Sequence, residues 1–250
     1  MRRLMLTALA ICFSLATSAQ TKVNVAAAAN TRDAVGEIAA LFEKKNPNIK
    51  LVINFGSSGM FVQQISNGAG FDIFLSADKD FALKLESAGK TIGLVRDYAY
   101  GKLTLYSKNL PVETLGLKAL DDKSIHRIAI ANPQSAPYGK YAVDMLTDLK
   151  LFDKYKSKII YGENIGTTAQ YVFTGNAEIG FIALSQIKSP DANTQGHFYI
   201  IPSELYSPII QSCVLIKTPS SKPEAKEFMD FLFSSESKEI WIKYGYTPGE

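Results

Sequence analysis

Cysteine is nearly missing. Cys12 and Cys213 are the two in 250 residues, too few for a disulfide framework or a thiolate metal site. Histidine is equally scarce, and neither His126 nor His197 has an Asp, Glu or Cys beside it at metal-ligand spacing. Both therefore read as surface or loop residues and not as parts of a metal centre. An excess of one charge is missing too, with 27 Lys+Arg against 24 Asp+Glu for a net charge of +3. Arg2 and Arg3 account for most of that excess, so retention on nucleic acid or anionic lipid by charge alone is excluded. After the first 19 residues no apolar run approaches the length of a membrane span. There is no repeat at a solenoid period, no low-complexity linker, and no Ser-x-x-Lys, Gly-x-Ser-x-Gly or phosphate-loop signature in a usable context.

What is present is a chain with 46% hydrophobic residues, enough to bury one sizeable core or two smaller ones, which excludes disorder. It opens with a basic start at Arg2 and Arg3, an apolar run from Leu4 to Leu15 and the small residues Thr17-Ser18-Ala19. That order is a secretory signal peptide, expected to be cleaved after Ala19. A lipid-anchor signal at Cys12 is the rival reading, disfavoured by the bulky Ile11 before it.

Strands and helices then alternate. Val23 to Ala28, Leu51 to Phe55 and Asp72 to Ser76 read as strands, separated by helices carrying Val35, Ile38, Leu41 and Phe42, then Met60 to Asn67, then Lys79 to Ala88. This alternation predicts a mainly parallel sheet covered on both faces. A run from Tyr100 to Ser107 reads as one strand. The alternation resumes with strand Arg127 to Ala131, helix Gly139 to Leu151, a short helix from Thr167 to Phe173 and strand Ile179 to Ala183. A long strand, Ile209 to Ile216, and two helices bearing Phe228, Phe231, Leu232, Ile240 and Trp241 complete the chain. Two α/β units are expected.

Four turns share one construction, a strand end, a small or polar residue, and a helix start: Ala29-Asn30, Gly56-Ser57-Ser58-Gly59, Pro137-Tyr138-Gly139 and Asn164-Ile165-Gly166. Helix starts at the carboxyl ends of such strands present unpaired N–H groups and a partial positive charge, a setting that favours an anion. Asn30 and Ser58 would add side-chain donors, Tyr138 a phenolic one, and Ile165 its peptide N–H. Each turn also has a plainer reading. Asn30 with Asp33 resembles a helix cap, Ser57 or Ser58 could cap the next helix, and Tyr138 could be a packing residue. Asp72 and Asp78 bracket a strand, with capping or loop roles expected, and Cys213 reads as a buried thiol.

The runs Val25 to Asn30, Phe55-Gly56-Ser57-Ser58-Gly59, Phe71 to Asp78, Ile130-Ala131-Asn132-Pro133, Glu163-Asn164-Ile165 and Ile240 to Tyr246 together resemble the periplasmic molybdate-binding proteins of ABC importers. The resemblance covers nearly the whole chain after the signal segment. It implies an α/β, two-lobed type II binding-protein fold, with lobe 1 from 20–101 and 206–250 and lobe 2 from 102–205. It also implies molybdate or tungstate held in the interlobe cleft by Asn30, Ser58, Tyr138 and Ile165. No further cofactor and no direct protein–metal ligand is implied, the molybdenum being held as its oxyanion. The partner implied is the membrane permease of an ABC importer, with no nucleic acid, and the protein is expected to be a periplasmic monomer. Many members of the family have Ser where this chain has Asn30, a small residue at Tyr138 and a tyrosine at Ala183, which implies that Tyr138 supplies the hydroxyl from the other side of the cleft. A receptor for another oxyanion such as sulfate, an octahedral tungstate completed by Asp72 or Asp78, an enzyme on the same fold, and a regulatory effector domain are the alternatives.

Overall fold

In the computed structural model, which describes residues 20–190, 196–219 and 222–249, the alternation is realised in two sheets. The expected signal segment, 1–19, lies outside the described residues.

The first sheet contains β1 (Thr21–Ala28), β2 (Ile49–Gly56), β3 (Ile73–Ser76), β4 (Thr91–Gly101), β10 (Ile209–Ile216) and β11 (Thr247–Pro248), in the order β11-β4-β10-β3-β1-β2. The second contains β5 (Leu103–Ser107), β6 (Ile128–Ala131), β7 (Ile159–Gly162), β8 (Ile179–Ala183) and β9 (His197–Ile200), in the order β7-β6-β8-β5-β9. Each has a parallel core of three strands, β2-β1-β3 and β7-β6-β8, extended by antiparallel strands. The helices are α1 (Arg32–Lys45), α2 (Ser58–Ser66), α3 (Lys79–Ser87), α4 (Val112–Leu115), α5 (Pro137–Asp148), α6 (Phe152–Tyr155), α7 (Ile165–Phe173), α8 (Leu184–Ile187), α9 (Pro223–Phe231) and α10 (Ser235–Lys243).

The two-residue period of the strands explains how each sheet is covered twice. In β1, Val23, Val25 and Ala27 join one buried cluster with Val35, Ile38, Phe42, Phe228 and Trp241, while Ala26 joins Phe61, Phe74 and Leu85 on the other face. Neighbouring side chains on a strand point to opposite faces, so an unbroken apolar run requires cover on both. The second sheet repeats the arrangement, with Ile128 and Ile130 facing α5 residues and Ala129 facing Ala169 and Val172 of α7.

One strand expectation is corrected. The run from Tyr100 to Ser107 is not continuous: the chain leaves the first sheet after Gly101 and enters the second at Leu103. Lys102 is the crossover, and the return lies between Ile200 and Ile209. The first half of β4 escaped notice because Gly93 and Leu94 are exposed and Gly93 sits at φ 72°, which breaks the apolar alternation. β7 and β9 were also missed; each is a four-residue edge strand.

Candidate functional site

Three helices begin two residues earlier than their apolar period suggests, at Ser58, Pro137 and Ile165. The shift places Ser58, Tyr138 and Ile165 inside first turns, and a 3₁₀ turn, Ala29–Thr31, places Asn30 just ahead of α1. Pro137 can open α5 because the first helical position needs no N–H. All four residues line one small cavity together with Ala28, Gly56, Ala77, Ala136 and Asn164. Its empty volume is about 200 Å³. Asn30, Ser58, Tyr138 and Ile165 are each no more than 4% exposed.

Ser58 is oriented by the backbone. Its Oγ accepts a 3.0 Å hydrogen bond from the Ala77 N–H, which leaves its own proton to be donated. The capping reading does not apply, since the residue before α2 is Ser57 and its side chain makes no cap bond.

Tyr138 reaches from α5 toward the end of β4. A Cβ added at Gly101 would lie 2.1 Å from its hydroxyl, so glycine at 101 is what admits the phenol. That hydroxyl is buried beside the Asn30 amide and makes no hydrogen bond of good geometry among the described residues. An orphaned polar atom in a closed space is uncommon and points to a ligand or water. Burial, reinforced by the nearby Tyr246, holds the phenol well above its ordinary pKa, so it remains a protonated donor.

Asn30 departs from expectation. Both N–H bonds of its amide are engaged within its own half of the molecule, with Gln211 Oε1 at 2.9 Å and the Tyr246 hydroxyl at 2.8 Å. Turning the amide over would set its oxygen against that of Gln211, so the network fixes the assignment. Asn30 is thus neither a side-chain donor to the cavity nor a helix cap, and Oδ1 is left buried without a partner. The donor it can offer is its peptide N–H, which in the first turn has no intrahelical carbonyl. Tyr246 is itself anchored: its ring packs edge-on against Trp241 with centroids 5.3 Å apart, and its hydroxyl donates to the Asn30 carbonyl at 2.8 Å.

Ile165 offers its N–H at the start of α7, where Asn164 caps the helix by accepting from Thr167 N at 3.1 Å. Gln186 holds the following peptide, donating to Ile165 O at 2.8 Å while accepting from Ala183 N at 3.0 Å. Ala183 is fully buried at the cap of α8 and brings no hydroxyl to the cavity. Gln211, Tyr246 and Gln186 were not found as site residues by sequence reasoning, which placed Asn164 in its turn without assigning it the cap. The closing Tyr-Gly-Tyr run was the available signal for Tyr246; the two glutamines had none.

The remaining candidates lie elsewhere. Asp72 pairs with Lys222 at 2.7 Å and accepts from Asn24 N, away from the cavity lining. Asp78 caps α3 by accepting from Asp80 N. His197 meets Glu113 on the surface, and the Cys213 thiol is buried, its pKa pushed up to about 12 by desolvation. An outer pocket of about 450 Å³ shares Ala29 and Asn164 with the cavity and is lined by Arg32, which stacks on Phe55 at 4.6 Å. A groove of about 500 Å³ at the crossover, between Lys102 and Tyr206, contains none of the four residues.

Comparison with known proteins places this geometry in a family. The sequence profile of the bacterial extracellular solute-binding proteins matches residues 23–247. The molybdate-binding protein ModA of Azotobacter vinelandii is 40% identical over 235 residues, covering 93% of this chain and 92% of that one. ModA of Rhodobacter capsulatus is 38% identical over 243 residues, covering 96% and 94%. The solved structure of the Azotobacter vinelandii periplasmic molybdate-binding protein superposes with a TM-score of 0.85 at 33% identity, covering 91% of this chain and all of that one.

Proposed function

Because the chain belongs to the bacterial extracellular solute-binding protein family, we propose that it captures a tetrahedral oxyanion, molybdate and also tungstate, and hands it to the membrane permease of an ABC importer. The observation that carries this reading is the buried, partnerless hydroxyl of Tyr138 in a cavity that also holds Ser58 and two helix-start N–H groups. A deprotonated oxyanion has only acceptors, and these four groups are donors. The names of the 38–40% identical relatives agree with it.

The ligand bridges both lobes, 20–101 with 206–250 and 102–205. Asn30 N–H and Ser58 come from the first, Tyr138 and Ile165 N–H from the second. No protein atom touches the molybdenum, which is held through its oxygens without a further cofactor. Moving a dianion out of water is opposed by desolvation, and fixed N–H and O–H dipoles at helix starts offset that cost without adding a cation. Sulfate, with shorter bonds to oxygen, leaves each contact stretched in the same space. Hydrogenphosphate carries a proton for which no carboxylate lines the cavity. The protein works as a carrier and not an enzyme, as a monomer in the periplasm after cleavage of the signal segment near Ala19, without nucleic acid.

Calorimetric titration with molybdate, tungstate, sulfate and phosphate tests the reading. One site per chain with the first two far ahead is expected. Equal or tighter binding of phosphate would sink it.

A further inference from the structure

Asp78 does more than cap α3. Its Oδ1 accepts from Asp80 N at 2.6 Å, while its Oδ2 accepts a 2.6 Å hydrogen bond from the hydroxyl of Tyr141 on α5. The two residues come from different sheets' halves of the molecule and are 5% and 9% exposed. Neither lines the anion cavity. A second contact crosses nearby, from Gly59 N to Ser135 O at 2.9 Å. Here the backbones meet closely, since a Cβ at Gly59 would fall 2.9 Å from Ser135 Cα. The approach of the lobes at this point is limited by main chain and not by a flexible side chain.

We propose that Asp78 and Tyr141 are a closure latch, drawn up against the Gly59–Ser135 contact as a stop, and that they set oxyanion affinity without touching the anion. The inference rests on the functional reading above. The physical case is a linkage: Asp78 and Tyr141 are hydrated when the lobes part and bonded when they meet, so the bond stabilises only the closed form. A ligand that needs the closed form binds more tightly by that factor. The bond is charge-assisted and short, and removing its donor leaves a buried carboxylate short of a partner in the closed form alone. Tyr141 and Asp78 are positioning residues, since they act through the distance between the two halves of the site.

Three proteins decide it: the wild type, Tyr141→Phe and Gly59→Ala, each titrated with molybdate and with tungstate and followed by stopped flow. Tyr141→Phe keeps the ring and the α3 cap, so the melting temperature without anion should be unchanged. Its affinity should fall about tenfold for both anions alike, through faster release. Gly59→Ala, a substitution that favours helix in α2 and asks only the Phe81 ring edge at 3.2 Å to give within its own half, should melt close to wild type without anion yet bind more weakly, because the added methyl meets the Ser135 backbone. Small-angle scattering at saturating anion should show Gly59→Ala less compact than wild type. The proposal is overturned if Tyr141→Phe binds within twofold of wild type, if its loss differs between the anions or lies in capture rate, or if either variant only lowers the ligand-free melting temperature. A wild type that binds neither anion would instead defeat the functional reading.

Discussion

The Ser58 hydroxyl is held at 3.0 Å by the Ala77 N–H, which fixes the oxygen and leaves one proton to give. Ser58→Ala should therefore do two things at once. It removes a hydrogen bond to a charged acceptor, an expected loss of about 1.5–3 kcal/mol or roughly ten- to a hundredfold in affinity. It also orphans a buried N–H, at a cost of about 1–3 kcal/mol in stability. Calorimetry and thermal unfolding of the same preparation separate the two. Reduced stability with an unchanged dissociation constant would make Ser58 a structural residue alone.

Tyr138→Phe should behave in the opposite way. The hydroxyl has no well-formed hydrogen bond to lose among the described residues, so stability without ligand should hold, while affinity falls by about 1.5–3 kcal/mol. Gly101→Ala supplies the control. Its methyl would collide with the Tyr138 oxygen and also meet the ring Cζ and Gln211 Nε2 at 3.1 Å, so it should weaken binding in wild type and cost less in the Tyr138→Phe background, a coupling that a double-mutant cycle measures. Additive losses would mean that Gly101 acts by some other route.

The central strands and the four turns were legible because they rest on local signals: an apolar run, a small residue, a change of period. Ala26-Ala27-Ala28 followed by Asn30 fixes where β1 ends, whatever the rest of the chain does. The family resemblance then joined the turns into one site. What could not be read was long-range chemistry. That the amide of Asn30 is engaged by Gln211 and Tyr246 depends on residues about two hundred positions away, and no local pattern marks a glutamine in a strand as a site residue. The strand pattern ran across Lys102, where the resemblance had set its lobe boundary, for a related reason. β4 and β5 are both apolar and nearly contiguous, and the sheet each joins is decided by its partners β10 and β8.

Seven phenols give a signature in alkaline solution. Burial raises the pKa values of Tyr98, Tyr138 and Tyr246, and also of Tyr106, Tyr141, Tyr155 and Tyr206, above the ordinary value of 10.0. The folded form therefore keeps protons that the unfolded chain releases, and their contribution is full below the unfolded value and is lost as pH rises beyond it. Stability should fall above pH ~10 by about 1.4 kcal/mol per pH unit for each phenol. Urea unfolding at pH 8, 9, 10 and 11 measures the slope, and Tyr98→Phe should make it shallower. A stability that stays flat to pH 11 would contradict the burial.

Asn30 gives the sharpest test of what the cavity holds. Asn30→Ala removes two amide hydrogen bonds and leaves Gln211 Oε1 unsatisfied, so it should lower stability and, through the loosened turn, weaken anion binding. Asn30→Asp keeps nearly the same shape but loses both amide N–H bonds, setting an oxygen against Gln211 Oε1 and against the Tyr246 hydroxyl, whose proton goes to the Asn30 carbonyl, and it puts a negative charge where Oδ1 now sits buried and unpaired. At a separation of ~4 Å such a carboxylate opposes each unit of anion charge by roughly 4 kcal/mol in a partly polar interior. Asn30→Asp should therefore bind an oxyanion dianion at least a thousandfold more weakly than wild type, and more weakly than Asn30→Ala. Burial and the neighbouring anion both raise the pKa of the new carboxyl, so its neutral form grows as pH falls, and affinity should recover between pH 8 and pH 5 in that variant while wild type changes little. Micromolar titrations across that range give the answer. If the alanine variant is the weaker binder, or if the acid recovery is missing, Asn30 stands outside the anion's surroundings and its part in the site is limited to anchoring Gln211 and Tyr246.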